Sequence, residues 1–104
     1  MTTASFFKEN GKFKKFSISG HSGYATAGED IVCAAISSMV MLTANNITNS
    51  FSLPADISVD EETAVISLSL NCDDERGIAL ITGLYNELCN LVNDYPKNIK
   101  VIVK

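Results

Sequence analysis

The sequence predicts an α+β fold, a two-layer sandwich in which a mainly antiparallel sheet carries two helices on one face. Three observations support this prediction. The dipeptide Asn10-Gly11 separates two strand-like runs, two longer segments have apolar residues at helical spacing, and the inferred element order is ββαββαβ. Without its first strand this order is βαββαβ, the split-βαβ arrangement. A chain of 104 residues is long enough for one core, so we expect a single domain over residues 1–104.

The chain is predicted to begin with a β-hairpin. Asn10-Gly11 is typical of a type I′ turn, because both central residues of that turn need positive φ. Strands are therefore expected at residues 4–9 and 12–19. In the second strand Phe16 and Ile18 are expected on one face, and Lys15 and Ser17 on the other.

A glycine-rich stretch, residues 20–29, separates the hairpin from the first helix. Asp30 is predicted to cap that helix by accepting a hydrogen bond from the N–H of Cys33. The helix itself is expected over residues 31–45. It is apolar around most of its surface, so we expect it to be buried on more than one side or to face a partner subunit.

The second half of the chain is predicted to contain a hairpin, a helix and a last strand. Strands are expected at residues 56–60 and 64–70, joined by the turn Asp60-Glu61-Glu62. A polar stretch then leads into an amphipathic helix that ends before Pro96. Residues 99–103 form the final strand of the prediction.

Composition excludes some classes of function. The net charge is −4, and the proportions of 46% hydrophobic and 19% charged residues are ordinary for a globular protein. Lys12, Lys14 and Lys15 come closest to a basic cluster, and we expect them on the solvated side of the hairpin. Nucleic-acid-binding proteins usually present a basic face, so the sequence argues against direct nucleic-acid binding.

The cysteines and the N-terminus indicate the compartment. Cys33, Cys72 and Cys89 cannot all pair within one chain, which predicts reduced thiols and a cytosolic setting. The N-terminus lacks the basic start and the apolar run of a signal peptide. We expect no membrane span, because no apolar stretch in the sequence approaches the ~20 residues that a span needs. We therefore expect a soluble, cytoplasmic protein without a membrane partner.

No metal and no cofactor is expected. The single histidine and the cysteines have neither Cys-x-x-Cys nor His-x-x-x-His spacing, and no phosphate-binding glycine motif occurs. The stretch Asp73-Asp74-Glu75 fits a helix cap better than a pair of catalytic carboxylates. The remaining constellation with a chemical mechanism is Cys33 with His21.

Cys33 is predicted at the start of a helix, where unpaired N–H groups and the helix dipole favour the thiolate form. The carboxylates of Glu29 and Asp30 oppose this effect, although the capping hydrogen bond neutralises part of the charge of Asp30. A nearby His21 imidazole would complete an activated nucleophile. In this mechanism the thiolate attacks a carbonyl, helix-start amides stabilise the oxyanion, and His21 protonates the leaving amine.

The residues around this pair resemble the signature of the ribosomal-processing cysteine protease (Prp) family. The resemblance rests on Gly20-His21-Ser22, followed after a short loop by Asp30-Ile31-Val32-Cys33-Ala34-Ala35-Ile36-Ser37. It continues through residues 80–101, which include Tyr95-Pro96-Lys97-Asn98-Ile99-Lys100-Val101, and it includes the opening hairpin. One departure is Ser22, where the family usually has alanine. The central hairpin matches the family in pattern alone.

The resemblance implies an activity, a partner and the roles of four residues. Members of this family are homodimeric bacterial enzymes that remove a short N-terminal extension from large-subunit ribosomal protein twenty-seven. By this resemblance Cys33 is the nucleophile, His21 is the general base, and Asp30 and Ser37 support them. Helical spacing separately places Ser37 one turn beyond Cys33 on the same helix face.

The loop between the two catalytic residues is expected to bind substrate and to close over it. Small residues give it backbone freedom, and one large side chain gives it an anchor. The residues assigned to this substrate loop are Gly20, Ser22, Gly23, Tyr24 and Gly28.

Two other functions remain open at the level of the sequence. One is a non-catalytic, dimeric interaction module of ribosome assembly, in which His21 and Cys33 only shape a loop and the apolar helix forms the interface. The other is a cysteine hydrolase that keeps the nucleophile and acts on a different acyl substrate. Reactivity of Cys33 separates the module from the enzymes, and the choice of substrate separates the two enzymes.

Overall fold

The structure is a computed structural model that describes residues 1–20 and 27–104, and for residues 27–30 it describes the backbone alone. The elements follow the predicted order ββαββαβ. They are β1 (Thr2–Glu9), β2 (Lys12–Ser19), α1 (Ala27–Asn45), β3 (Ala55–Asp60), β4 (Val65–Leu70), α2 (Glu75–Asp94) and β5 (Ile99–Val103). Helix α1 continues into a π-helical turn, Asn46–Ser50, which the sequence analysis does not predict.

The strands form one mixed, mainly antiparallel sheet in the order β3-β4-β2-β1-β5. All neighbouring pairs are antiparallel except β1 and β5, which are parallel. The extra first strand is therefore inserted into the split-βαβ unit, between β2 and β5. This insertion accounts for the parallel pair, because β5 lies beside β1 and is separated from β2.

The opening hairpin has the predicted turn and an unpredicted bulge. Asn10 and Gly11 have φ of 54° and 76°, as a type I′ turn requires. Lys8 pairs with Phe13 and Phe7 pairs with Lys15, so Lys14 is an extra residue in β2.

The bulge turns Lys14 away from solvent, so the prediction that this lysine lies on the solvated side of the hairpin is wrong. Its side chain is buried, and its ammonium group lies 2.7 Å from a carboxylate oxygen of Asp73, just before α2. Hydrogen bonding to Asp73 raises the pKa of Lys14. The ion pair thus connects the middle of the sheet to the segment that leads into α2.

The core lies between the sheet and the two helices. The sheet contributes Phe6, Phe16 and Leu68, and α2 contributes the predicted apolar stripe. The buried residues of that stripe are Ile81, Leu84 and Leu88. The ring of Phe6 is completely buried, and its centroid lies 5.8 Å from that of Phe13 and 5.3 Å from that of Tyr85, in edge-to-face geometry.

The expectation that no segment has the length and apolar composition of a membrane span is wrong for helix α1. The 20 residues Ile31–Ser50 have a mean hydropathy of 1.5 and meet both criteria, while 33% of that segment is buried. Val32, Ile36 and Val40 on one face of the helix are packed into the core. The core helix of a folded domain meets the same criteria of length and composition.

Gly20, directly after β2, has a backbone conformation that favours glycine. Its φ is +89°, and a Cβ built at this position would clash with the backbone carbonyl oxygen of Met1. The hydroxyl of Thr2 donates a hydrogen bond to the carbonyl oxygen of Gly20 over 3.4 Å. The end of β2 is therefore held directly against the start of β1.

Gly20→Ala is expected to lower the free energy of unfolding by about 1–2 kcal/mol or more, because the positive φ and the clash with Met1 both oppose a side chain. Urea denaturation measures the loss. Gly83→Ala is the control, since a Cβ at Gly83 in α2 has no atom within 4 Å. That change is expected to be neutral or to stabilise by about 0.5–1 kcal/mol. Equal stability of Gly20→Ala and wild type would contradict the account of this close approach.

The N-cap of α2 is expected to make stability depend on pH in the acid range. Hydrogen bonds from the guanidinium and then from the backbone N–H of Arg76 lower the pKa of Asp74 from 3.8 to about 2. Because the folded-state pKa is the lower one, this contribution is complete above about pH 4 and is lost as the pH falls to about 2. Asp74→Ala is therefore expected to reduce the urea midpoint at neutral pH, and the difference from wild type should narrow towards about pH 2. Asp94→Ala, at the other end of α2, is the control, and a difference that stays constant with pH would contradict this prediction.

Candidate active site

Cys33 lies on α1 beside a cavity of about 300 Å³ between this helix and the sheet. Its thiol is free and half-buried. The neighbouring residues Val32 and Ile36 are buried in the core, so the helix is fixed against the sheet at the level of the thiol. The lining of this cavity is Thr2, Ile18, Cys33, Ile36, Ser37, Val59, Asp60, Glu61, Ala64, Val65 and Ile66.

The position of Cys33 within its helix differs from the predicted one. Helix α1 begins at Ala27, so Cys33 is about two turns inside it, and Asp30 belongs to the first helical turn. The prediction that Asp30 is the N-cap and that Cys33 stands at the helix start is therefore wrong. Gly28, assigned to the substrate loop, is likewise in the first turn of the helix.

Because Cys33 lies inside α1, the predicted effects of the helix start on its thiol no longer apply. A backbone N–H inside an α-helix donates to the carbonyl four residues earlier, so the N–H of Cys33 is used within the helix. The effect of the helix dipole also falls off within the first turn. The predicted stabilisation of the oxyanion by helix-start amides next to Cys33 is therefore not supported by the helix geometry.

Ser37 lines the same cavity as Cys33, one helical turn further along α1. The described part of the lining contains two neutral hydroxyl donors, Thr2 and Ser37. The Thr2 hydroxyl is engaged with the carbonyl oxygen of Gly20. Ser37 is exposed and has no hydrogen bond from its hydroxyl among the described residues.

Of the eleven described lining residues, nine were not predicted to belong to the site, and four of these nine bear on its chemistry. Thr2 comes from β1, Val59 and Asp60 come from the end of β3, and Glu61 comes from the β3–β4 turn. The sequence shows the last three as an alternating strand followed by an acidic turn. The one feature of the sequence that could have pointed to these three residues is that apolar Val59 is directly followed by carboxylates. The proximity to Cys33 results from the sheet order and is not encoded locally.

The acidic end of this cavity is built on a hydrogen-bonded turn. One carboxylate oxygen of Asp60 accepts from the N–H of Glu62 over 3.0 Å and from the N–H of Thr63 over 3.3 Å. Hydrogen bonds from Thr63, with a smaller contribution from the N–H of Glu62, lower the pKa of Asp60. Asp60 is therefore charged at neutral pH and holds the turn that presents Glu61.

The structure describes only some of the remaining predicted site residues. His21, Ser22, Gly23 and Tyr24 lie outside the described residues, as does the side chain of Asp30. Gly20 is described, and its contacts with Met1 and Thr2 put the end of β2 beside the cavity that Thr2 lines.

Comparison with known proteins relates this arrangement to solved structures. The ribosomal processing protease Prp from S. aureus, in complex with a substrate peptide, is 23% identical, with a TM-score of 0.91 over 100% of both chains. The same protease with a covalently linked product peptide is 24% identical, with a TM-score of 0.87 over 100% of both chains. SMU.848 from Streptococcus mutans is 24% identical, with a TM-score of 0.89 over 99% of this chain and 93% of the other. These likenesses show a common fold.

The sequence itself was compared with curated proteins and with models of protein families. No curated protein matches the chain. The family model described as cysteine protease Prp matches residues 1–100. Because this match covers nearly the whole chain, it shows that the chain belongs to the cysteine protease Prp family.

Proposed function

We propose that this cysteine protease removes an N-terminal extension from ribosomal protein twenty-seven of the large subunit, with Cys33 as nucleophile and His21 as general base. The observation that carries the proposal is the cavity beside Cys33, which is apolar on its floor and open to a peptide. The relative from S. aureus is a ribosomal processing protease. In the proposal, residues 1–104 act as a single protease domain in the cytoplasm, where ribosomal proteins are made.

The position of Gly20 supports the role of His21. Consecutive Cα atoms are about 3.8 Å apart, so residue 21 starts next to Gly20 wherever its side chain lies. Gly20 is fixed against Thr2, and Thr2 lines the cavity together with Cys33. Gly20, which directly precedes the single histidine of the chain, is thus held against a residue of the wall that also contains the thiol.

The proposed reaction forms and breaks an acyl-enzyme. The Cys33 thiolate attacks the scissile carbonyl, and the C–N bond breaks as the protonated His21 gives its proton to the leaving amine. Water, deprotonated by His21, then hydrolyses the thioester and releases the thiol and the carboxylate product. We assign the stabilisation of the oxyanion to the hydroxyl of Ser37, because it is a donor on the cavity wall and the Cys33 amide is used within the helix.

The substrate fits the cavity by its polarity and charge. Ile18, Ile36 and Ile66 give the floor an apolar surface for side chains next to the scissile bond. The net charge of −4 attracts a basic ribosomal protein at long range. Membership of a cysteine protease family favours this enzyme over the non-catalytic module. A hydrolase for another acyl substrate would use the same Cys33, and the choice of substrate distinguishes it.

The first expected result is a single N-terminal cut in the cognate ribosomal protein, observed by intact mass. Cys33→Ala and His21→Ala are each expected to lower kcat/KM by at least about 10³-fold, because each removes a partner of one proton-transfer system. Ser37→Ala is expected to lower kcat by about 10²-fold with little change in KM, as loss of an oxyanion donor does. Cys89→Ala is the matched thiol control, since Cys89 is half-buried on α2 and outside the cavity lining.

Two outcomes would contradict this assignment. Cleavage that persists in Cys33→Ala would exclude this thiol as the nucleophile. Absence of any cut by folded wild-type protein, with the extension present in the substrate, would exclude the proposed reaction.

We further propose that the protein is a homodimer whose interface includes the outer face of α1. Ile31, Met41 and Leu42 on this helix are 59%, 49% and 65% exposed, although all three are large apolar side chains. Leu42 also lines a shallow groove between α1 and α2, together with Leu80 and Leu84. Large apolar side chains exposed along one helix and beside a groove are typical of sites of association.

Leu42→Glu is expected to weaken the dimer by at least about tenfold in Kd, because it places a charge in an apolar interface. Sedimentation equilibrium measures the change against the mass of the 11.2 kDa chain. Val103→Glu is the control, as Val103 is 45% exposed on β5 and away from α1. A wild-type protein that stays monomeric across the concentration range would overturn the proposal.

A further inference from the structure

We propose that the end of strand β3 and the turn after it form a specificity subsite, in which Glu61 binds a lysine or arginine side chain of the substrate and Val59 contacts an apolar neighbour. This inference rests on the proposed function, since it requires a peptide to lie in the cavity beside Cys33. It deepens that function by naming which substrate side chains the enzyme selects. It follows from the residues that line the cavity, the uncovered face of β3 and the distribution of charge.

Strand β3 is an edge of the sheet, and its apolar face is uncovered. Val59 pairs with Ile66, and Ile57 pairs with Leu68, so all four side chains point to the helix side of the sheet. Leu68 is 1% exposed, whereas Ile57 and Val59 are 45% and 61% exposed. The helices thus cover β4 and leave β3 open. Val59 is the part of this open strip that lines the cavity with Cys33.

Two carboxylates at this end of the cavity have no compensating positive charge among the described lining residues. Asp60 and Glu61 are both lining residues, and no lysine or arginine is among the described residues of the lining. The two ion pairs among the described residues, Lys14–Asp73 and Arg76–Asp74, are formed by residues outside the lining. A cationic side chain of a peptide would therefore meet a negative potential beside Asp60 and Glu61.

The two carboxylates have different tasks. Asp60 accepts hydrogen bonds from the N–H groups of Glu62 and Thr63 and so holds the turn. Glu61 makes no hydrogen bond of this kind in the described part of the chain, and it is one of the residues that line the cavity. Glu62 belongs to the same turn but does not line the cavity. Glu61 is therefore the residue that selects the cation, and Glu62 is a matched control of equal charge one residue away.

A competing explanation assigns these acids to protection of the sheet edge. Charged residues on an edge strand discourage pairing with other chains. Protection of the edge requires charged residues on β3 and its turn, but it does not depend on the charge of the substrate. The test must therefore measure how the preference for substrate charge changes, and not the total activity alone.

The experiment uses quenched fluorogenic peptides that span the bond cut in the cognate ribosomal protein. Each peptide carries lysine, glutamine or glutamate at one flanking position, and the positions are scanned one at a time. We expect wild-type enzyme to prefer lysine over glutamine by about fivefold in kcat/KM at one position, mainly through KM, and to lose this preference at high salt. Glu61→Gln is expected to reduce the preference to within about twofold, and Glu61→Lys to prefer glutamate at the same position.

Glu62→Gln is expected to keep the wild-type preference, and a thermal melt of each variant checks that it is folded. Equal loss of preference in Glu61→Gln and Glu62→Gln would overturn the subsite, because it would show a general field in place of a local contact. A flat profile in wild-type enzyme that cleaves every peptide would overturn this inference and leave the proposed protease intact. Failure to cleave any peptide or the ribosomal protein itself would overturn both.

Discussion

The insertion of β1 between β2 and β5 is the constraint on which the rest of the structure depends. Its inward residues Ala4 and Phe6 are completely buried, and the Phe6 ring contacts aromatic rings from both β2 and α2. Complete burial of such a side chain contributes roughly 1.5–3 kcal/mol. Because β1 pairs on both sides, its first residues are fixed as firmly as its middle. Thr2 can therefore serve as part of the cavity wall and as the partner of Gly20.

The same insertion fixes Gly20, the residue that directly precedes His21. The close approach of Gly20 to Met1 leaves no room for a side chain, so the exit direction of β2 is determined by the backbone. His21 follows without an intervening residue. Cys33 lies beyond the other end of the segment that connects β2 to α1. Its neighbours on that helix, Val32 and Ile36, are buried. The catalytic pair that we propose therefore depends on two rigid anchors on either side of the connection between β2 and α1.

Much of the fold could be predicted because its signals are local. The hairpin at Asn10-Gly11, the strand Lys12–Ser19 and the apolar stripe of α2 follow from turn chemistry and from periods of 2 and 3.6 residues. The start of α1 was not predictable in the same way. Gly28 and the small residues beside it are typical of a loop, yet helix propensity differs by only about 1 kcal/mol even for glycine, and tertiary packing overrides it.

Features that depend on distant parts of the chain were missed for a different reason. The bulge at Lys14 is defined by the register of β2 against β1, and the ion pair with Asp73 joins residues far apart in sequence. Placement of Val59 and Glu61 beside Cys33 follows from the sheet order, which puts the β3–β4 hairpin at the edge nearest this cavity. Cys33 and Ser37 could be found because they lie one turn apart on one helix. The residues that line the other side of the cavity have no such spacing.

The two sides of the cavity also differ mechanically, and this difference bears on how such an enzyme can change its substrate. The thiol side is helical, with backbone hydrogen bonds before and after Cys33, so the nucleophile is fixed by its own element. The opposite side is an edge strand and a turn whose exposed residues contribute little to the core. A substitution at Glu61 or Val59 can therefore alter selection without displacing the thiol, whereas a substitution at Ile36 would disturb both packing and chemistry. The choice of substrate side chains can thus change separately from the reactivity of the thiol, because the first depends on the β3 edge and its turn and the second on the more rigid helix α1.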